Sequence, residues 1–544
     1  MKKSTIILAL LALLATAVEA QERYKKIAEC TDIYNAVLRE LAINYVDSFD
    51  YEKINQAGID RMLQKLDPYT IFYVESEEEQ LKMMTTGTYG GIGAIIMQKG
   101  DYVVISDPYE GKPAQRHDVR AGDTILKIDG KDAKGLTTSE VSKMLRGPQG
   151  TEVELTLQRD GQKPLRKKIV REVIQIAPVE YYGMVADGVG YIAFGDFTEN
   201  SAADFRNALT DLSKNGNMQR LIIDLRNNGG GLVSEAIEIA SLFVPKNTPI
   251  VSMKGLQPQS RREYKTQNEP LYPNLPLVVM VNGSSASASE ILAGALQDLD
   301  RAVVVGERSF GKGLVQNVRR LPHNTYLKVT TAKYYIPSGR CVQAIDYAKR
   351  DENGSLQRIP DSLTHEFSTA NGRKVRDGGG ITPDVELKRR DELTIAYYLY
   401  IKNIFFDYAT RFANTHKSIA PASTFALSDD EYADFVAYAK ERDFTYTLQS
   451  ADELDEMVKT IKTEGYYDDA KAAIEQLAAL LKPDIERDLV RFRPDIEELL
   501  GAEIVKRYYF QKGAMEYGLR FDQWLHQTIE LIGDEARCRD ILRK

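Results

Sequence analysis

The chain has 544 residues, 43% hydrophobic and 28% charged, with a net charge of -8 and a pI near 5.5. This supports several globular domains with ample cores and excludes the basic footprint of a nucleic-acid-binding protein. Three cysteines cannot define a disulfide framework, so one bridge and free thiols both stay open. No HExxH or paired Cys/His spacing occurs around the five histidines, so no metal or cofactor is expected.

Residues 1–20 read as a signal peptide. Met1-Lys2-Lys3 is a basic start, Ile6 to Ala17 is apolar, and Val18-Glu19-Ala20 places small residues at a cleavage position. Gln21 stands where a lipoprotein would need cysteine. The mature protein is expected in the periplasm or cell envelope, soluble or peripheral. Residues 21–86 read as helical: Ile27, Tyr34, Val37, Leu38 and Leu41 recur at helical spacing, as do Ile59, Met62, Leu63 and Leu66. Asp67-Pro68-Tyr69 interrupts that pattern.

A β-rich unit is expected over 87–172. Strand-like runs at Ile95-Ile96-Met97, Tyr102 to Ile105, Thr124 to Ile128 and Val153 to Leu157 are interspersed with short helices at Ala114 to Val119 and Ser139 to Leu145. With Tyr89-Gly90-Gly91-Ile92-Gly93-Ala94 and Ala121-Gly122-Asp123, this order resembles a PDZ domain. That resemblance implies that Gly90, Gly91, Ile92 and Gly93 form a loop for a peptide's terminal carboxylate, with the following strand open to peptide addition. A tight turn is the plain reading of the same glycines.

Over 173–390, strands alternate with helices, which argues for an α/β core. Strand-like Val185 to Phe194 precedes a helix at Ala202 to Lys214. Leu221-Ile222-Ile223-Asp224-Leu225 is a buried strand running into Arg226-Asn227-Asn228-Gly229-Gly230-Gly231 ahead of a second helix, Ser234 to Phe243. Such a turn offers N–H groups to an anion, but a phosphate loop would carry Lys-Ser/Thr after its glycines, and none follows. Leu277 to Met280 is another apolar strand, followed by Asn282-Gly283-Ser284-Ser285-Ala286-Ser287-Ala288-Ser289-Glu290 and the helical run from Ile291. Serines on a strand-to-helix turn serve as helix caps, or as a nucleophile beside an oxyanion site. Further on, Lys312 stands between Gly311 and Gly313. A lysine among apolar neighbours loses hydration of its charged form and becomes a base. If Lys312 to Gln316 is extended, the two side chains share a face.

Gly283 to Glu290, together with Phe310-Gly311-Lys312-Gly313-Leu314-Val315-Gln316, resembles the catalytic core of the carboxyl-terminal processing (tail-specific) serine proteases. The resemblance implies Ser287 as nucleophile, Lys312 as general base and Gln316 as its orienting partner. It also implies an oxyanion hole from the N–H groups of Gly230 and Ala288, although this chain has Gly229 where the family has proline. Lys328 to Tyr335, Pro337 to Arg340 and Gly379 to Asp384 continue the likeness, around a polar insertion at 346–373. Family members carry a similar N-terminal helical segment, often used for dimerisation. Residues 391–544 read as a helical appendage, an interaction, dimerisation or lid module, in which Trp524 is assigned to core.

The expected architecture is therefore an α/β multi-domain chain: an N-terminal helical segment, a PDZ-like β-rich domain, a Ser-Lys protease core and a C-terminal helical domain. The expected activity is serine endopeptidase action on proteins or peptides with free C-termini, with a homo-oligomer or adaptor as further partner. The alternative from another class is a catalytically inactive PDZ adaptor on a protease scaffold. A third reading is an acyl-transfer enzyme that does not cleave peptide bonds.

Overall fold

The computed structural model describes residues 2–160, 162–350, 356–388, 394–442 and 444–543. It divides into two units, Met1–Phe72 and Tyr73–Lys544. Residues 351–355 of the polar insertion and 391–393 at the start of the C-terminal segment lie outside the described residues.

The first unit holds the helices Lys2–Asn44 and Tyr51–Leu63. Asp50 caps the second by accepting from the N–H groups of Glu52 and Lys53, both at 3.1 Å. The Tyr34 hydroxyl donates to Asn55 Oδ1 at 2.8 Å and ties the helices together. Residues 2–20 belong to the first helix, and no helix among the described residues is long and apolar enough to cross a membrane.

In the second unit, the antiparallel sheet of the PDZ-like region runs in the order Ala94–Lys99, Tyr102–Pro108, Thr124–Ile128, Glu152–Gln158, Leu165–Val170. Alternating residues Val153, Leu155 and Leu157 face a core shared with Val103, Ile105, Ile125 and Val141. Thr137 and Glu140 form a capping box at the helix Thr138–Leu145. Asp123 is buried and receives a bidentate pair from Arg159, Nε to Oδ1 and Nη2 to Oδ2, each 2.8 Å.

The α/β core is a six-stranded sheet ordered Val179–Ala186, Val189–Phe194, Arg220–Asp224, Leu277–Val281, Val303–Gly306, Val385–Glu386. The first pair is antiparallel and the others are parallel. Side-chain alternation sorts the apolar strands onto two faces. Leu221, Ile223, Leu277, Val279, Val281 and Val304 pack with the helices Ser201–Asn215, Val233–Ala240 and Ala288–Asp298. Tyr191, Ile222, Val278, Met280, Val303 and Val305 pack instead against Trp524, Leu525, Leu531 and Ile532 of the helix Gln523–Gly533. A parallel sheet with apolar residues on both faces needs two helical layers. Here the C-terminal segment supplies the second, so its last helices are a structural layer of the core.

A second, antiparallel sheet orders Arg262–Lys265, Pro249–Lys254, Tyr326–Tyr335 and Leu314–Arg320. The described part of the insertion forms two small hairpins, Ile345–Arg350 with Leu356–Arg358 and Glu366–Ser368 with Lys374–Arg376. The C-terminal helices Ile404–Thr415, Asp429–Glu441 and Arg493–Gly518 enclose an aromatic core of Phe405, Tyr408, Phe412, Phe435 and Tyr517. The hairpin Gln449–Glu464 and Tyr467–Leu480 stands largely exposed, with only Leu454 buried among its described residues. Lys99 of the PDZ-like sheet pairs with Asp407 of this helical region.

Candidate active site

Strand Leu277–Val281 ends in a turn whose serines divide into two kinds. Ser285 Oγ donates to Leu225 O at 2.7 Å and Ser289 Oγ donates to Asn228 O at 2.9 Å, and both residues are fully buried. Ala286 N–H also donates to Asn228 O, at 3.0 Å. The neighbouring serines thus stitch their own turn to the glycine turn after Asp224. Ser287 is left half-buried at the N-cap of the helix Ala288–Asp298.

Ser287 has φ 57 and ψ -114, a conformation an L residue rarely adopts. Holding it there costs on the order of 1–3 kcal/mol, and such strain collects at functional positions. Two buried side chains hold it. Glu290 Oε2 accepts from Ser287 N at 2.9 Å and from Lys312 N at 2.8 Å. Its Oε1 accepts from Gly311 N at 2.7 Å and Ser309 Oγ at 2.5 Å. Four donors fill the acceptor sites of one carboxylate. Burial pushes the Glu290 carboxyl above its ordinary range, opposed by the bonds from Ser309, Lys312, Ser287 and Gly311. From the other side, the Tyr334 hydroxyl lies 2.6 Å from Lys312 O and 3.1 Å from Ser287 O. The structure therefore brings Ser287 and Lys312 together at the backbone.

Lys312 sits where the chain passes against 341–344. A Cβ on Gly311, whose φ is +88, would stand 2.3 Å from Ala344 Cβ, so glycine is required. Gln316 lies in the following strand, and its amide donates to Thr330 Oγ1 at 3.1 Å. That strand begins only at Leu314, and its pairing shifts register between Val315 and Gln316. The simple alternation expected to put Lys312 and Gln316 on one face is therefore interrupted.

Gly230 abuts the serine turn: at φ +103, a Cβ there would lie 2.7 Å from Ser287 Cβ and 2.9 Å from Ala288 N. Its N–H, expected to face an oxyanion, donates to Asn228 Oδ1 at 2.8 Å in this conformation. Among the described residues no acceptor is bonded to Ala288 N–H, which points from the first turn of the helix. A Cβ on Gly229 would meet nothing within 4 Å, so the absence of proline there disturbs no contact.

In the PDZ-like region, Gly90 and Gly91 lie in the strand Thr88–Gly91, paired with Glu172–Gln175, rather than in a free loop. Gly90 O accepts from Gly147 N at 3.1 Å. Ile92 is buried, and Gly93 at φ +74 makes the turn into Ala94–Lys99. That last strand lies at the edge of its sheet beside the helix Thr138–Leu145.

Glu290 and Tyr334 went unassigned in the sequence. The spacing from Ser287 to Glu290 fits a capping box, but nothing local signals that the carboxylate also reaches Lys312. No local pattern marks Tyr334.

Comparison with known families agrees with this architecture. Residues 188–349 match the model for peptidase family S41, 104–159 a PDZ domain, and 395–532 the C-terminal helical domain of probable PDZ-proteases. A carboxy-terminal-processing protease of Bartonella bacilliformis is 37% identical over 329 residues, covering 60% of this chain and 74% of that protein. A probable CtpA-like serine protease of Staphylococcus aureus is 34% identical over 340 residues, covering 60% and 66%. Among solved structures, the photosystem II D1 C-terminal processing protease is 31% identical with a TM-score of 0.37, covering 64% of this chain and 86% of that one. The family matches and these relatives show a serine-type peptidase carrying a PDZ domain. The chain belongs to peptidase family S41, among the carboxy-terminal-processing proteases.

Proposed function

We propose that this protein is an exported endopeptidase in which Ser287 attacks the scissile carbonyl, Lys312 acts as general base, and the PDZ domain selects substrates by a free C-terminus. The observation that carries the reading is the shared anchoring of Ser287 and Lys312 by Glu290 and Tyr334. A helix cap alone has no need of that link to a lysine. The neutral Lys312 amine takes the Ser287 Oγ proton as Oγ bonds to the carbonyl carbon. Negative charge then develops on the carbonyl oxygen; that Ala288 N–H has no acceptor among the described residues supports its role as an oxyanion donor. Gly230 serves as the second donor once its N–H leaves Asn228 Oδ1. The Lys312 ammonium returns its proton to the departing amine as the C–N bond breaks, leaving an acyl-serine. Water, deprotonated by the same lysine, releases the acid and restores Ser287. Gln316 orients the lysine amine.

The edge strand Ala94–Lys99 supports addition of an extended tail, with the turn at Ile92 and Gly93 capturing its carboxylate. Hydrolysis of a simple protein substrate by the parent and not by Ser287→Ala tests the reading. Activity unchanged in Ser287→Ala, or none in either protein, would favour the inactive-adaptor alternative or another nucleophile. For export, mass spectrometry of envelope protein is expected to find a mature N-terminus at Gln21; retention of Met1 would contradict it.

A further inference from the structure

We infer that Glu290 and Tyr334 are positioning residues for catalysis, a two-sided clamp that fixes the nucleophile's strained backbone and the base's backbone in one rigid frame. This rests on the reading of Ser287 and Lys312 as nucleophile and base.

The hydrogen bonds divide by polarity. Glu290 takes the N–H groups of Ser287 and Lys312, and Tyr334 faces the carbonyls of the same two residues. Glu290 thus holds the N–H side of both residues, while the single Tyr334 hydroxyl proton lies between their two carbonyls, nearer Lys312 O. Glu290 is fully buried and Tyr334 is 1% exposed, so water does not compete for either contact.

Neither side chain is placed to do chemistry itself. The Glu290 oxygens are saturated by four donors, three of them main-chain N–H groups. Tyr334 meets the catalytic residues at their carbonyls. Their effect is geometric: with Ser287 held at φ 57, Oγ keeps one direction relative to the segment that carries Lys312. A reaction that needs two groups aligned loses rate steeply when either drifts.

The two elements have separate origins. Glu290 lies one turn into the serine helix, and Tyr334 lies near the end of the strand Tyr326–Tyr335 in the second sheet. The clamp therefore joins the serine helix of the α/β core to the second sheet beside Ser287 and Lys312.

The test uses the full chain with Tyr334→Phe, Glu290→Gln and the double variant, measuring kcat, KM, thermal midpoint and the labelling rate of Ser287 by a small fluorophosphonate. Tyr334→Phe is expected to lower kcat about tenfold, and Glu290→Gln about a hundredfold, with KM within about twofold of the parent. The labelling rate should fall in parallel. The double variant should be less impaired than the product of the two, because both residues act on the same pair. A purely structural role would lower the thermal midpoint while sparing kcat of the folded protein. If Glu290→Gln does not fold, Tyr334→Phe alone decides the matter. The inference falls if folded Tyr334→Phe keeps kcat and labelling within twofold of the parent, or if only KM changes. Retained activity in Ser287→Ala would instead remove the nucleophile assignment, and this inference with it.

Discussion

Arg226 and Asp522 join the glycine turn of the protease core to the C-terminal helical layer. Arg226 Nη1 lies 3.2 Å from Asp522 Oδ1, and Nη2 lies 2.5 Å from Oδ2. The same guanidinium bonds to Asp224 and sits 5.8 Å from the centre of the Trp524 ring. Asp522 also caps the helix Gln523–Gly533 by accepting from Leu525 N at 3.0 Å. One carboxylate thus starts the helix that covers the sheet and fixes the residue that opens the turn toward Gly230.

This pair has a pH signature. Burial pushes the Asp522 carboxyl up, the bonds from Arg226 pull it down, and the net position is below the ordinary carboxylate range. A group whose folded pKa is depressed contributes stability above its unfolded pKa of about 3.9 and loses it as pH falls through the folded value. Asp522→Asn should therefore cost about 1–3 kcal/mol at neutral pH, because Arg226 keeps Asp224 but loses its charged partner on the covering helix. It should also flatten the fall in stability between about pH 5 and pH 3. Urea unfolding across that range measures both effects, and parallel curves for parent and variant would contradict the assignment.

Trp524 anchors the layer by packing. It is 9% exposed, and its indole N–H donates to Lys388 O at 3.0 Å. Trp524→Ala should destabilise the core by about 3–5 kcal/mol. Deleting residues 520–544 should uncover Ile222, Val278, Met280, Val303 and Val305 and give an aggregating protein. A soluble, cooperatively folding deletion would show that the core does not need this layer.

The proposed selection of free C-termini would use the edge strand Ala94–Lys99 for tail addition and backbone N–H groups for the terminal carboxylate. A peptide ending in a free apolar residue should be cleaved much faster than the same peptide amidated at its C-terminus. Gly91→Trp should erase the difference, because even a Cβ at that position meets the Tyr89 ring at 2.7 Å. Labelling of Ser287 by a small acylating probe should survive the change. Equal cleavage of free and amidated peptides by the parent would leave the PDZ domain without a reading role.

Much of this was legible in the sequence, for reasons tied to particular residues. Leu221 to Ile223 and Leu277 to Val281 are continuously apolar, which requires cover on both faces. Which segment covers the second face was not readable, because Trp524 and Leu525 lie far along the chain in a helix with ordinary amphipathic spacing. The serine turn and the glycine-framed lysine stood out by composition. That Ser285 and Ser289 would bind carbonyls, and that Glu290 would reach Lys312, depends on contacts between distant segments. The strand argument linking Lys312 to Gln316 met a register shift, a local irregularity that period-two reasoning cannot detect. The resemblance to a PDZ domain implied a carboxylate loop that includes Gly90 and Gly91, which lie in the strand Thr88–Gly91. In the fold, Gly90 makes room for Gly147 O, which a Cβ would approach to 2.1 Å.

The most direct test of the central claim is the kinetic comparison of Ser287→Ala, Lys312→Ala and the double variant on one peptide substrate. Residues that act as a unit lose nearly the whole enhancement when either is removed. Each single variant should therefore fall by several orders of magnitude in kcat, with the double variant little worse. Near-normal activity in Lys312→Ala, or losses that multiply in the double variant, would show that Ser287 and Lys312 do not work together.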